Sequence, residues 1–404
     1  MFQNLKEKEG CSKVEDAKKD RQRAVRYGQY KVGESAVYYP DNTYIPLCDI
    51  KNAKKNTADI ATKGCCGVTV TVPTVEFFVG EKKYRLELDR ENQAERLAEL
   101  LQKEADLKIQ RVDILGLGAL GVMYADFFTR KLGKQNVRIL ADNSRICRYK
   151  EEGVFFNGEQ CDFSYCDIEK ETEPADLLLV AVKYGALHEA IHEVRHLVDE
   201  NTTIISVLNG IRSEGDLQEA FGKEKVVYCI AQKMDALKEG KNAFCKNFGE
   251  LAIGIENGGR QGRLNRLRNF FDSCEFPFIC PKDMKKAMWS KLLCNVGVNQ
   301  TVSLFAGTYA TVQQEGEARE MMKSAMQEVV LVANAEGIML TNKDIQSWIS
   351  IIDSLNPDGE PSMRQDSKAG RKTEVALFAG TICSLGEKHH IETPVNRVFL
   401  EKIQ

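Results

Sequence analysis

Residues 111–121 read Arg111-Val112-Asp113-Ile114-Leu115-Gly116-Leu117-Gly118-Ala119-Leu120-Gly121, a short apolar run that breaks into three glycines spaced GxGxxG before a helical pattern through Ala125, Phe127 and Phe128. An apolar run of this length, followed by a turn and a helix, reads as a buried strand opening a βα unit. Each glycine then has its own duty. The first permits a tight turn, the second lets the backbone approach a pyrophosphate, and the third lets helix and strand pack closely. Unpaired N–H groups and the dipole at the helix start favour negative charge there. Gly116, Leu117, Gly118, Ala119, Leu120 and Gly121 are therefore expected to cradle a dinucleotide. A glycine-rich turn alone also arises for structural reasons, and its place at the first βα turn is what favours binding.

Working outward, apolar strands at Arg111–Leu115, Val137–Leu140, Asp176–Val182, Thr203–Leu208, Val226–Ile230 and Leu251–Ile255 alternate with helical patterns. That alternation predicts a Rossmann-like, doubly wound parallel sheet over residues 109–282. From 283 to 404 strand signals vanish. Helical patterns at Met284–Leu304, Gly316–Glu336 and Thr373–Lys388 predict an all-helical carboxy-terminal domain. Upstream, residues 26–108 show short strands at Ala36–Tyr39, Tyr44–Leu47, Val68–Val72, Val75–Val79 and Tyr84–Leu88, closed by an amphipathic helix over Glu91–Lys108. This small β-rich unit has a PH-like order of elements, an analogy of fold that names no ligand. Residues 1–25 read as a charged tail or frayed helix.

The 404 residues carry a net charge of -3, so bulk electrostatics recruits neither nucleic acid nor an anionic membrane. No apolar signal-peptide core and no apolar run of about 18 residues occurs, and the expected location is cytoplasmic. Thirteen cysteines are scattered without a Cys-x-x-Cys pair, although Cys65 and Cys66 adjoin; most are expected to act as small core hydrophobes. His188, His192 and His196 stand four apart on the helix predicted after Lys183, a metal-compatible spacing, but interleaved Glu189, Glu193 and Arg195 indicate an exposed face. No metal is expected.

Two further clusters carry polar chemistry. After the second strand, Asp142 is placed to bind a ribose 2′-hydroxyl, whereas Arg145 and Arg148 are placed for a 2′-phosphate or for solvent. In Trp289-Ser290-Lys291-Leu292-Leu293-Cys294-Asn295-Val296-Gly297-Val298-Asn299, Lys291, Asn295 and Asn299 share one face of a largely apolar helix. Asparagine is costly to bury unpaired, so the stripe points to a wet cleft, with an interhelical hydrogen-bond seam as the alternative. Ser362 and Glu374 complete the set. Taken singly, Glu374 reads as a helix-start carboxylate with a capping role.

Together the glycine turn, the Trp-x-Lys helix with its two asparagines, the Ser362-to-Glu374 spacing, the strand ending in Lys183 and the Leu208-Asn209-Gly210 turn resemble the ketopantoate reductase family over about Lys108–Gln404. The resemblance implies that Lys291 is the general acid and Glu374 the partner carboxylate. It implies substrate contacts from Asn295, Asn299, Ser362 and Asn209, and cofactor contacts from Lys183 and Asn209 beside the glycine turn, Asp142 and Arg145. The implied cofactor is NADP(H), with NAD(H) as the alternative, and a homodimer is the assembly expected. The implied reaction is reduction of 2-dehydropantoate to pantoate. Two positions depart from the family pattern: Gly359 and Tyr309 stand where asparagines are common. Two other readings therefore stand open, a reductase for a different 2-oxo acid and a cofactor-sensing or scaffold protein. The partner of residues 1–107 is not legible.

Overall fold

A computed structural model describes residues 5–11, 14, 17–33, 35–61, 69–106, 108–255 and 261–403. Val68, Cys65 and Cys66 lie outside the described residues. Near the amino terminus the chain forms a meander of Val25–Tyr27, Tyr30–Val32, Ala36–Tyr38 and Thr43–Pro46, extended by Lys6–Glu7 running parallel to Thr43–Pro46. A second meander joins Lys51–Ala61, Thr69–Val79 and Lys82–Glu87, and the helix Glu91–Asp106 follows. Val37, Ile45, Phe77, Leu86, Leu97 and Leu101 form the core between them.

Three sequence expectations change here. The charged lead is tied down: it forms the helix Ala17–Arg23, and the hydroxyl of Tyr38 donates to Asp20 at 2.6 Å. The strand Lys51–Ala61 has no apolar alternation to announce it, because most of its side chains stand in water and its partner strand supplies the core residues. The two strands expected on either side of Pro73 are one, Thr69–Val79. The neighbouring Lys82–Glu87 ladder ends with Glu87 opposite Thr74, so the donor that proline lacks is not required on that side.

The central sheet is parallel, in the order Ser164–Asp167, Val137–Ala141, Val112–Leu115, Leu177–Val180, Thr203–Ser206. The chain starts in the middle and winds to both edges, which places the glycine turn at the carboxyl end of the first strand, where the winding reverses. One parallel bridge, Ile204 to Val226, continues the sheet. Beyond it the expectation of parallel strands fails: Tyr228–Gln232 pairs antiparallel with Glu250–Gly254, which pairs parallel with Phe278–Ile279. Within the sheet Asp113 is fully buried and accepts two bonds from Arg138 on the next strand, at 2.7 and 2.6 Å. Glu171 adds a further contact to that guanidinium at 3.1 Å, so the buried charges are paired.

From Met284 on, the described chain is helical, with Glu317–Ala335 at the centre of an apolar cluster that includes Leu293, Val329 and Phe378. The helix expected over Met284–Leu304 is continuous but not uniform. Met284–Cys294 is α-helical, Asn295–Asn299 is a π turn, and Gln300–Leu304 resumes the α form.

Candidate functional site

Gly116 follows the first strand with φ 101°, and a Cβ there would stand 2.8 Å from the carbonyl oxygen of Ala181, the residue just past the adjacent strand. Gly121 is tighter still. A Cβ at that position would lie 2.0 Å from the Gly116 carbonyl oxygen, so helix Ala119–Leu132 is pressed onto the turn that precedes it. At Gly118 the same construction meets only the Ala181 oxygen at 3.7 Å, leaving the turn open on that side. These are the packing roles expected of the first and third glycines, with the middle one facing open space. The shallow groove beside the turn is lined by Leu115, Leu117, Leu140, Ala141, Arg145 and Val182.

Asp142 caps helix Asn143–Glu152 by accepting from the Arg145 N–H at 2.8 Å, and it pairs with the Arg145 guanidinium at 3.2 Å. Lys238, which the sequence did not single out, reaches the turn from the side and donates to the Leu117 carbonyl. Its pKa is lowered by burial and by the nearby Arg148. Arg145 on the groove and Lys238 on the turn thus bring two cations to this end, with Arg148 near Lys238.

The second half of the site joins the helical region to the sheet. Lys291 is half-buried, and its ammonium donates to the Ala231 carbonyl at 2.5 Å and to Asn209 Oδ1 at 3.1 Å. Asn209 in turn donates from Nδ2 to Glu374 at 2.9 Å. Glu374 precedes helix Val375–Lys388 without capping it, so its carboxylate is free for this work. Lys183 reaches across the same gap to Asp366 at 3.0 Å and lies 3.9 Å from Glu374. Asp366 also binds Arg371 at 2.7 Å. It is a member of the cluster that the sequence did not single out, because Lys183 is far away in the chain.

Asn295 and Asn299 are buried in the π turn. A spacing of four overshoots an α-helical turn by about 40°, so eight residues drift by about 80°. The wider turn takes up part of that drift, and turns of this kind concentrate at functional sites. The Asn295 amide nitrogen is buried with no hydrogen-bond partner among the described residues. A buried donor without a partner costs stability, which a ligand acceptor repays. Ser362 is the first residue of helix Ser362–Lys368, which packs against the π turn, and it is exposed. The structure therefore brings Lys291, Asn209, Glu374 and Lys183 into one network, with Asn295 and Asn299 in the π turn that follows the lysine helix and Ser362 on the helix that carries Asp366.

Burial pushes the Lys291 pKa below the usual lysine value, against the opposing pull of Glu374, Cys294, Cys229 and Glu214. An enclosed ammonium with a lowered pKa, fixed by two acceptors, is a competent proton donor. Glu214 was not expected from the sequence. Burial pushes its carboxyl up to about 7, with the Ser213 hydroxyl donating at 3.0 Å. A carboxyl raised in the folded state holds its proton more tightly than in the unfolded chain. Its contribution therefore falls as pH rises from its ordinary value through about 7. Glu214→Gln is expected to gain thermal stability relative to the parent at about pH 8 but not at about pH 5, measured by thermal unfolding; an equal difference at both would contradict this.

Two other features lie apart from this network. A cavity of about 350 Å³ lies on another face of the lysine helix, lined by Arg212, Tyr228, Met288, Trp289 and Leu385. The three histidines do not form a stripe, because the helix ends at Glu193 and His196 bonds the Ile168 carbonyl at 3.0 Å.

Comparison with known proteins covers the part of the chain that holds this site. Residues 112–257 match the family model described as ketopantoate reductase PanE/ApbA, and residues 283–404 match that of the ketopantoate reductase PanE/ApbA C terminal. The chain is 26% identical over 297 residues to a 2-dehydropantoate 2-reductase of Aquifex aeolicus, spanning 72% of this chain and 95% of that one. Among solved structures, a 2-dehydropantoate 2-reductase from Geobacter metallireducens is similar with a TM-score of 0.64 at 24% identity, over 72% of this chain and 98% of that one. D-mandelate dehydrogenase bound to NADH and anilino(oxo)acetate is similar with a TM-score of 0.65 at 20% identity, over 72% and 97%. At these identities the solved structures speak for the fold.

Proposed function

The chain belongs to the ketopantoate reductase family, and we propose that it reduces a 2-oxo acid to the 2-hydroxy acid with NADPH, 2-dehydropantoate being the favoured substrate. The observation that carries this reading is Lys291, held between Asn209 and the Ala231 carbonyl and linked through Asn209 to Glu374. When bound along the glycine turn, a dinucleotide would supply the hydride for C2. Lys291 gives its proton to the C2 oxygen and, as a cation, stabilises the negative charge developing there. Asn209 fixes the ammonium on one side and orients Glu374 on the other. The unpaired Asn295 amide donates to a substrate oxygen, Asn299 adds a second amide, and the Ser362 hydroxyl meets the carboxylate. Glu374 accepts from the substrate's terminal hydroxyl, and Lys183 offers a second positive charge beside the cofactor.

Arg145, Arg148 and Lys238 favour a cofactor with a 2′-phosphate, since Asp142 is already engaged as a helix cap and ion-pair partner. D-mandelate dehydrogenase, a relative in fold that binds NADH, keeps NAD(H) in view. Arg145→Ala is expected to lower the preference for NADPH over NADH in kcat/KM by about 10-fold, the scale of one lost charge-assisted contact. An unchanged preference would remove Arg145 from the selection. The overall test is oxidation of NADPH by the purified full chain with 2-dehydropantoate and a panel of other 2-oxo acids. Tight NADPH binding without turnover on any of them would replace the reductase reading with a cofactor-sensing one.

A further inference from the structure

Asn209 joins the two charged members of the network, since its amide oxygen accepts from Lys291 and its amide nitrogen donates to Glu374. Its reach to both depends on the turn that carries it, residues 207–212, between strand Thr203–Ser206 and helix Ser213–Phe221. That turn is fixed twice. At Gly210 it is seated against helix Val375–Lys388, where an added Cβ would stand 2.9 Å from Leu377 Cγ. A relay of buried polar groups then closes it on itself. The Ser206 hydroxyl accepts from the Leu208 N–H at 3.3 Å and donates to the Ser213 hydroxyl at 2.9 Å, and Ser213 donates to the Glu214 carboxyl at 3.0 Å. Both serines are fully buried and Glu214 is 1% exposed.

A hydroxyl has one proton to give. Ser206 gives its proton to Ser213 and Ser213 gives its own to Glu214, so every bond in the relay runs the same way and the last group must be an acceptor. The relay begins at the amide of the residue before Asn209 and ends on a carboxyl that the reaction itself does not use. We propose that Glu214 is a positioning residue: as the terminal acceptor of the Ser206–Ser213 relay, it braces the turn so that Asn209 meets Lys291 and Glu374 together. The proposal rests on the reading of Lys291 as the proton donor to a 2-oxo acid, and it names what holds the partner amide in place. A carboxylate accepts, and so does the carbonyl oxygen of a protonated carboxyl, so the brace survives titration of Glu214. Bonds aligned in this way strengthen one another, and burial makes the loss of one acceptor costly to the rest.

The test compares Glu214→Gln, which keeps an acceptor oxygen, with Glu214→Leu, which keeps the bulk and removes the acceptor. Both lose the carboxyl's charge, and the other groups that act on the Lys291 ammonium, Glu374, Cys294 and Cys229, are the same in the two. The difference between the variants therefore reads the position of Asn209. The measurement is kcat against pH for the full chain with NADPH and 2-dehydropantoate or whichever other 2-oxo acid the parent turns over. The leucine variant is expected to have a kcat about 10-fold or more below the glutamine variant, the scale of a misplaced catalytic partner. Its alkaline limb should also lie at lower pH, because the ammonium loses the Asn209 acceptor that favours its charged form. Ser213→Ala removes the middle link and should lower kcat and move the limb in the same direction, which decides the matter if the leucine variant does not fold. Equal kcat and equal limbs in the two Glu214 variants overturn the assignment while leaving 2-oxo-acid reduction standing. So does a fall in kcat without movement of the limb, which loss of folded enzyme alone produces. Absence of turnover by the parent on any 2-oxo acid overturns the reading on which the assignment rests.

Discussion

Lys291→Ala is expected to lower kcat for 2-oxo-acid reduction by about 10³-fold while changing the dissociation constant of NADPH by no more than about twofold. The first effect follows from removing both the proposed proton source and the cation proposed to meet the developing alkoxide. The second follows from position, since the hydrogen bonds of the lysine go to Asn209 and Ala231. The pH profile gives an independent reading of the same group. Burial lowers the Lys291 pKa, so the proton is lost below the ordinary lysine range and reduction should fall on the alkaline side there. Glu374 is the largest influence raising that pKa. Glu374→Gln should therefore move the alkaline limb to still lower pH. Steady-state rates against pH, with NADPH binding followed by fluorescence, would check both. A Lys291→Ala enzyme of near-normal kcat would remove the proton-donor role.

Gly121→Ala is expected to cost about 3 kcal/mol or more of stability and to abolish dinucleotide binding. The new Cβ would stand 2.0 Å from a backbone oxygen, which cannot move aside without displacing the strand end or the helix start. Gly118→Ala supplies the contrast. Its Cβ finds its nearest atom at 3.7 Å, so the fold should survive, and the methyl should intrude only where a pyrophosphate rests. Thermal unfolding with NADPH titration of the two variants separates a packing glycine from a ligand-facing one. Equal stability losses would show that the two glycines have no such division of labour.

Much of this was legible in the chain because it depends on local spacing. The glycine turn, its strand and its helix are encoded within residues 111–132, and the lysine stripe within one helix. Residues whose roles depend on distant partners were not legible. Asp366 meets Lys183 across 183 positions, and the Ala231 carbonyl is a backbone atom that no side chain announces. Glu214 looks like a helix-start carboxylate until the fold buries it. The π turn is equally silent, since apolar residues around Asn295 suit either helical form. In the amino-terminal region the error ran the other way: Lys51–Ala61 lacks the alternation that marks a half-buried strand because its neighbour supplies the apolar face.

The bonds that set Lys291 and Glu374 all cross the join between the sheet and the helical bundle: Lys291 to Asn209 and Ala231, Asn209 to Glu374, and Lys183 to Asp366. The consequence is mechanical. Four links on one join tie the sheet to the helical bundle, so the position of the Lys291 ammonium is set by both lobes at once and by neither alone.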